Sequence, residues 1–227
     1  MIWDDEGFLI SKNRYNENSL IVEIFTKHYG KTTGIIFGGT SKKIKNYLQI
    51  GNQLYVNYNS KNSNKLGYFK VEILKANSPL FFDEARKLLC ISSAIQLIKI
   101  LTADGQKNLN IYELIIKFFQ ILETETWIRD YIFWELDLLT NLGYSLELKN
   151  LVYKDSLNNE IIYKVKSSNQ TKLIPNFLID KNKKENIDNK TLLAGLKLVG
   201  DFLEKSILGP NNLNYPISRL QFINSLK

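Results

Sequence analysis

Through the first eighty residues, apolar and polar positions alternate in short runs, and beyond Pro79 they recur every three to four residues. A period of two marks strands with one buried face, and a period between three and four marks helices, so a β part precedes an α part. Gly7–Lys12, Leu20–Thr26, Lys31–Phe37, Gln53–Tyr58 and Tyr68–Leu74 read as strands. Turn-forming clusters separate them at Asn13 to Asn18, His28 to Gly30, Gly38 to Ser41 and Asn57 to Asn64. Leu20 to Phe25 is apolar on nearly both faces, which suits a strand in a small closed barrel better than one at an open edge. Five short antiparallel strands at this spacing fit a five-stranded barrel of the OB type, and an SH3-like barrel has the same periodicity.

After Pro79, Asp83 stands as an N-cap ahead of Leu88, Ile91, Ile95 and Ile98 at helical spacing. Ile111, Leu114, Phe118 and Leu122 form a second stripe. Trp127, Tyr131, Trp134, Leu138 and Leu142 form a third, ending at Gly143 as its C′ residue. The interval 148–176 is mixed and polar, with Ile161 to Val165 as a short hairpin strand. Leu192, Leu196, Val199, Leu203 and Ile207 make a strong helix closed by Gly209-Pro210, and a last short helix covers Ser218–Leu226. The expected class is α+β. An OB-type barrel occupies 1–79, and an all-helical domain with a short hairpin-like insertion at about 148–176 occupies 80–227. The aromatic and leucine stripes read as core packing.

Composition narrows the function. A hydrophobic content of 44% in 227 residues is enough for a core without covalent staples. The single cysteine, Cys90, excludes an internal disulfide framework and a zinc site built from cysteine alone; in its apolar helical stretch it reads as a buried thiol. No apolar run approaches the length that spans a bilayer, and the N-terminus is acidic where a signal peptide is basic, so the expected location is the cytoplasm. The net charge of +7 favours a polyanionic partner. Residues 1–80 carry +5 of it.

Catalytic chemistry is not legible. The one histidine, His28, sits in a turn without a sequence-local partner, and there is no Walker A pattern or dinucleotide fingerprint. Asp4, Asp5 and Glu6 cannot all face one way on a strand and read as a solvated acidic end. No enzyme and no cofactor is expected. The charged chemistry gathers instead after Ile35-Ile36-Phe37, where Gly38-Gly39-Thr40-Ser41 leads to Lys42, Lys43 and Lys45 in what reads as a solvated loop. Tyr15, Phe37, Tyr47, Tyr55, Tyr58, Tyr68 and Phe69 interleave with Lys12, Arg14, Lys31, Lys42, Lys43, Lys45 and Lys70 along the barrel segment. Barrels of this type hold single strands by tracking the backbone with cations and stacking bases on aromatics. The residues expected to contact a nucleic-acid backbone are Lys12, Arg14, Lys31, Lys42, Lys43 and Lys45. A protein-interaction adaptor and an RNA-binding OB protein share these features.

Trp3-x-x-Glu6-Gly7, Glu17-x-Ser19-Leu20-Ile21-Val22, Phe25-Thr26, Gly30-Lys31 and Gly38-Gly39-x-Ser41-Lys42, in that order, resemble the N-terminal domain of the RecO family. Trp134-Glu135-Leu136-x-Leu138-Leu139-x-x-Leu142-Gly143-Tyr144-x-Leu146-Glu147-Leu148 is similar to the helical segment that marks its second domain; Leu203-Glu204 and the region of Arg219 fit its last helices loosely. The resemblance implies a DNA-repair recombination mediator that binds single- and double-stranded DNA and anneals complementary strands. It implies work with RecR to load RecA onto strands coated by SSB, and recognition of the acidic, hydrophobic C-terminal tail of SSB in the helical domain. For that tail the expected residues are Arg129, Trp127 and Tyr131, an arginine fork beside aromatics. Many relatives carry a cysteine cluster, in some cases zinc-binding, after the Leu-Gly-Tyr segment. Here the interval reads Leu148-Lys149-Asn150-Leu151-Val152-Tyr153, so the insertion is expected to be zinc-less.

Overall fold

A computed structural model describes residues 1–61, 66–146, 148, 152–157, 160–167, 170–180 and 187–227, with the backbone alone described for the parts of it between 152 and 172. Five strands, β1 (Ile2–Arg14), β2 (Ser19–Thr26), β3 (Gly30–Phe37), β4 (Gln53–Asn59) and β5 (Gly67–Lys75), close a barrel in the order β1-β2-β3-β5-β4. Neighbours are antiparallel except β3 and β5, which run parallel, and a simple meander would contain no parallel pair. The order and the parallel closure identify the OB arrangement and settle the choice against an SH3-like barrel.

β1 serves two neighbours by turning a corner. Its first half pairs with β4 and its second with β2, and the register slips between Leu9 and Ser11, where an irregularity bends the strand. Trp3, Leu9, Val22, Ile24, Ile36, Leu54, Val56, Tyr58 and Phe69 fill the interior. The parallel closure is short, with Gly34 opposite Gly67 and Ile35 opposite Tyr68 as its pairs among the described residues. Both glycines are required there. A Cβ at Gly34 would lie 2.6 Å from the Phe69 ring, and one at Gly67 would lie 2.4 Å from the Tyr58 ring.

Between β3 and β4 the chain forms a short helix, α1 (Lys42–Tyr47), where a solvated loop was expected. The reason is in the sequence. Ile44, Tyr47 and Leu48 fall on one helical face and pack against the barrel core, which leaves Lys42, Lys43 and Lys45 on the opposite, exposed face.

Beyond β5, a 3₁₀ turn (Ser78–Phe81) leads into α2 (Ala85–Leu101), α3 (Leu109–Ile121), α4 (Trp127–Asn141), α5 (Asn176–Ile179), α6 (Asn189–Leu203) and α7 (Ile217–Ser225). Glu84, not Asp83, holds the N-cap position of α2. The expected single hairpin strand is a three-stranded antiparallel sheet of β6 (Val152–Leu157), β7 (Glu160–Ser167) and β8 (Gln170–Ile174). Helix α6 passes into a π turn at Glu204–Leu208, so Ile207 belongs to that turn.

The chain forms two compact units. One is Met1–Phe119 with Pro216–Phe222, and the other is Gln120–Tyr215 with Ile223–Lys227. In the first, the outer side of β1 is also covered, since Phe8 packs against the rings of Tyr112 and Phe119. Tyr112 donates no charge there. Burial foremost raises its hydroxyl pKa well above the ordinary tyrosine value, although the side chain of Gln53 bonds to it at 3.0 Å. In the second unit, Tyr131 stacks on Trp134, and Phe133 meets Phe177 edge-on beside α6.

Candidate nucleic-acid interface

The outward face of β2, β3 and β5 is set by strand alternation. Val22, Gly34, Ile36 and Phe69 point inward, so Ile21, Ile35, Phe37, Tyr68 and Lys70 point outward. The register aligns them in rows. Asn13, Ile21, Ile35 and Tyr68 sit opposite one another across four strands, and Phe37 follows opposite Ser19. Phe37 is 63% exposed, and its ring centroid lies 6.0 Å from that of Tyr68. Tyr58 and Phe69, two of the interleaved aromatics, belong to the interior; Tyr15, Phe37 and Tyr55 are exposed.

A cationic rim borders this face at one end of the barrel. Lys42, Lys43 and Lys45 project from α1 and are exposed, as is Arg14 at the end of β1, whose Nε donates to the carbonyl of Asn16 at 3.3 Å. The β1–β2 turn and the segment leading to α1 are tied together by the Thr40 hydroxyl, which donates to the carbonyl of Glu17 at 3.1 Å and to Asn18 Oδ1 at 3.3 Å. Lys12 is half-buried, and its Nζ donates to the carbonyl of Leu48 at the end of α1. Burial first, and then the charge of Lys45, holds the Lys12 amine below the ordinary lysine value. Glu17 is the anion on the same turn. OB barrels place oligonucleotide ligands on the β2–β3 face and at the flanking loops, including the one between β1 and β2, where these groups converge.

Lys31 does not join the rim. It is 9% exposed, and its Nζ donates to the carbonyls of Lys99 at 2.8 Å and Thr102 at 2.6 Å and pairs with Asp104 at 3.2 Å. The amine caps the C-terminal end of α2, where unsatisfied carbonyls and the helix dipole favour a cation. Lys31 is thus a fastener between β3 and α2. Nothing in the local sequence distinguishes such a lysine from an exposed one, because its partners lie about seventy positions away.

The acidic end is also not uniformly solvated. Asp5 is 6% exposed and accepts from the backbone N–H of His28 at 2.7 Å, with His28 Nδ1 at 2.9 Å, so the histidine does have a partner. Glu6 pairs with Lys27 at 3.0 Å. Lys70 is exposed beside Tyr68 on the outer face of β5. Its signal was present in the alternation of Tyr68, Lys70 and Glu72 with Phe69 and Val71.

In the second unit Arg129 lines a cleft of about 260 Å³ with Glu125, Ile128, Ile187, Asn189 and Leu192. Its guanidinium lies 5.7 Å from the centroid of the Phe133 ring. Trp127 is half-buried. Tyr131 is fully buried and stacked on Trp134, so it supports the helix from inside and presents no surface to a ligand. Among the described residues no group of three or more histidines, cysteines, aspartates or glutamates gathers as a metal site would require. The insertion's side chains between 149 and 172 lie outside the described residues. Among the described residues no helix is long and apolar enough to cross a membrane.

Two family models match the chain: Recombination protein O N terminal over residues 1–77 and Recombination protein O C terminal over residues 83–213. The DNA repair protein RecO of Rhodospirillum centenum is 21% identical over 237 residues, covering 98% of this chain and 94% of that protein. That of Caulobacter vibrioides is 24% identical over 237 residues, covering 100% and 98%. The RecO of Roseobacter denitrificans is 30% identical over 150 residues, covering 66% of this chain and 62% of that protein.

Proposed function

The chain belongs to the RecO family of DNA repair proteins, and from that membership we propose that it is a recombination mediator that holds DNA on the cationic end of its barrel. The observation that carries this reading is the joint position of Lys42, Lys43, Lys45 and Arg14 at the border of the β2–β3–β5 face, with Lys12 behind them. Phosphate backbones bind to such a rim by releasing counterions, which needs no bond chemistry. Two strands neutralised on one surface repel each other less and meet at higher local concentration, so annealing follows from binding alone. In this reading the protein acts in the cytoplasm at the nucleoid, with RecR, to place RecA on single strands coated by SSB.

The SSB tail, an acidic peptide with an apolar end, is assigned to the cleft at Arg129. Arginine's fork suits a carboxylate, and Ile128, Ile187 and Leu192 supply apolar wall. Glu125 on the same cleft opposes an acidic ligand, so Arg129 carries the attraction. Arg129→Ala is expected to weaken binding of an SSB-tail peptide by about 1.5–3 kcal/mol, the range for a hydrogen bond to a charged group. Bare DNA binding should stay within twofold. Equal loss of both would show a general defect instead.

The barrel assignment is tested by replacing Lys42, Lys43 and Lys45 together with alanine and titrating single-stranded DNA across a salt series. Each lost phosphate contact should flatten the log–log slope by roughly 0.7 to 0.9. An unchanged slope with intact affinity would remove the α1 lysines from the DNA site. Matched RNA and SSB-coated DNA in the same titration would separate the mediator from an RNA-binding protein.

A further inference from the structure

Phe37 has no structural task that explains its position. It is the last residue of β3, it lies outside the set of side chains that fill the barrel, and nearly two-thirds of it meets solvent. An exposed ring of that size costs hydration and adds no core packing. The space beside it is open too, since a Cβ at Gly38, the next residue, would meet nothing within 4 Å. Among the described residues its ring neighbour is Tyr68, tilted by 51° across the β3–β5 closure, and Ile35 and Ile21 extend the apolar surface along the row behind. Lys70 lies on the same face of β5 two residues beyond Tyr68, and α1 with Lys42 and Lys43 begins five residues beyond Phe37.

From this we infer that Phe37, backed by Tyr68, is a stacking platform for the bases of single-stranded DNA, and that it makes the barrel prefer single strands to duplex. The inference rests on the reading that the barrel's cationic end binds DNA, and it adds the element that discriminates among DNA forms. Cations bind phosphates on either form. A ring face can stack only on a base whose own face is free, and in a duplex those faces are covered by neighbouring pairs. The cations hold a strand at the border, and the ring samples whether its bases are unpaired.

Phe37→Ala and Phe37→Trp test this beside the α1 triple-lysine variant. The ligands are a mixed-sequence single-stranded oligonucleotide and a hairpin-closed duplex of equal phosphate number, so that frayed ends do not offer free bases. Phe37→Ala should lose about tenfold in affinity for the single strand, within the range of one base–aromatic stack. Its duplex affinity should stay within twofold and its salt slope should not change. Phe37→Trp should retain single-strand affinity, and its exposed indole should be quenched by the single strand and not by the duplex. Loss of single-strand and duplex affinity in equal measure would overturn the platform, as would an unchanged single-strand affinity or an unquenched Trp at position 37. The last two results with intact lysine dependence would leave the phosphate reading standing and make this face a surface for a protein partner. Lysine variants without effect on either ligand would remove the DNA reading itself.

Discussion

The two ends of β3 hold lysines of identical chemistry in opposite roles. At its start, Lys31 is sunk against the last turn of α2 and spends its donors on two carbonyls and Asp104. At its end, the chain passes Phe37 and two glycines into α1, whose three lysines are exposed and pair with no carboxylate among the described residues. The first arrangement stabilises the fold, and the second leaves charge available for a ligand. What separates them is the surroundings of each amine. A lysine meeting a helix C-terminus finds fixed acceptors, and one projecting from a short helix on the barrel rim finds only water.

The contrast is broken most severely at Lys31. Lys31→Met keeps the length of the side chain and removes its donors, leaving the carbonyls of Lys99 and Thr102 short of a partner beside a buried stem. The expected destabilisation is about 2–3 kcal/mol in urea unfolding, mostly from those two bonds to a charged donor. The exposed partner Asp104 adds little. DNA affinity of the folded protein should remain within twofold; a large loss of DNA binding at full stability would return Lys31 to the interface. The triple alanine variant of Lys42, Lys43 and Lys45 should show the reverse, with weakened DNA binding and unfolding free energy within about 0.5 kcal/mol of the parent, as exposed surface changes usually give.

The smallest effect sharpens the comparison at Lys12, which stands between the two cases. Its folded pKa lies below the unfolded value, so between the two the unfolded chain binds more protons and stability rises with pH; below the folded pKa the full cost of the charged, half-buried amine is present. Part of the depression comes from Lys45. In Lys45→Ala the Lys12 midpoint, followed by NMR of its Nζ, should move up toward the ordinary lysine value, and the alkaline gain in stability should shrink. A midpoint that does not move would mean that the two amines do not feel each other.

Much of the barrel was legible because each strand carries its own alternation. The five expected strands fall inside the five observed, although β1 is longer at both ends because it pairs with two neighbours in turn. Helix α1 was missed because the glycines and lysines around it outweighed the single apolar face formed by Ile44, Tyr47 and Leu48. The exposed place of the α1 lysines and the interior position of Tyr131, one of a helical stripe, follow from local pattern. The burial of Lys31 and the pairing of Asp5 with His28 do not, since each is fixed by chain segments distant in sequence, and neither does the choice of which interleaved aromatics are exposed. Register also lies beyond periodicity. Only the paired strands show that Phe37 and Tyr68 meet across the closure of the barrel.

Among the described residues, that closure is a cylinder wall fastened along one line by two residue pairs. Thermal opening of the wall therefore begins there, where the fewest hydrogen bonds must part. The glycines that let the edges approach also leave one of the two pairs without side chains to interlock. The rings of Phe37 and Tyr68 lie outside it, one on each edge, as the two halves of a clasp. Any ligand that grips both rings holds the seam shut, so occupancy of the outer face and integrity of the wall become coupled quantities.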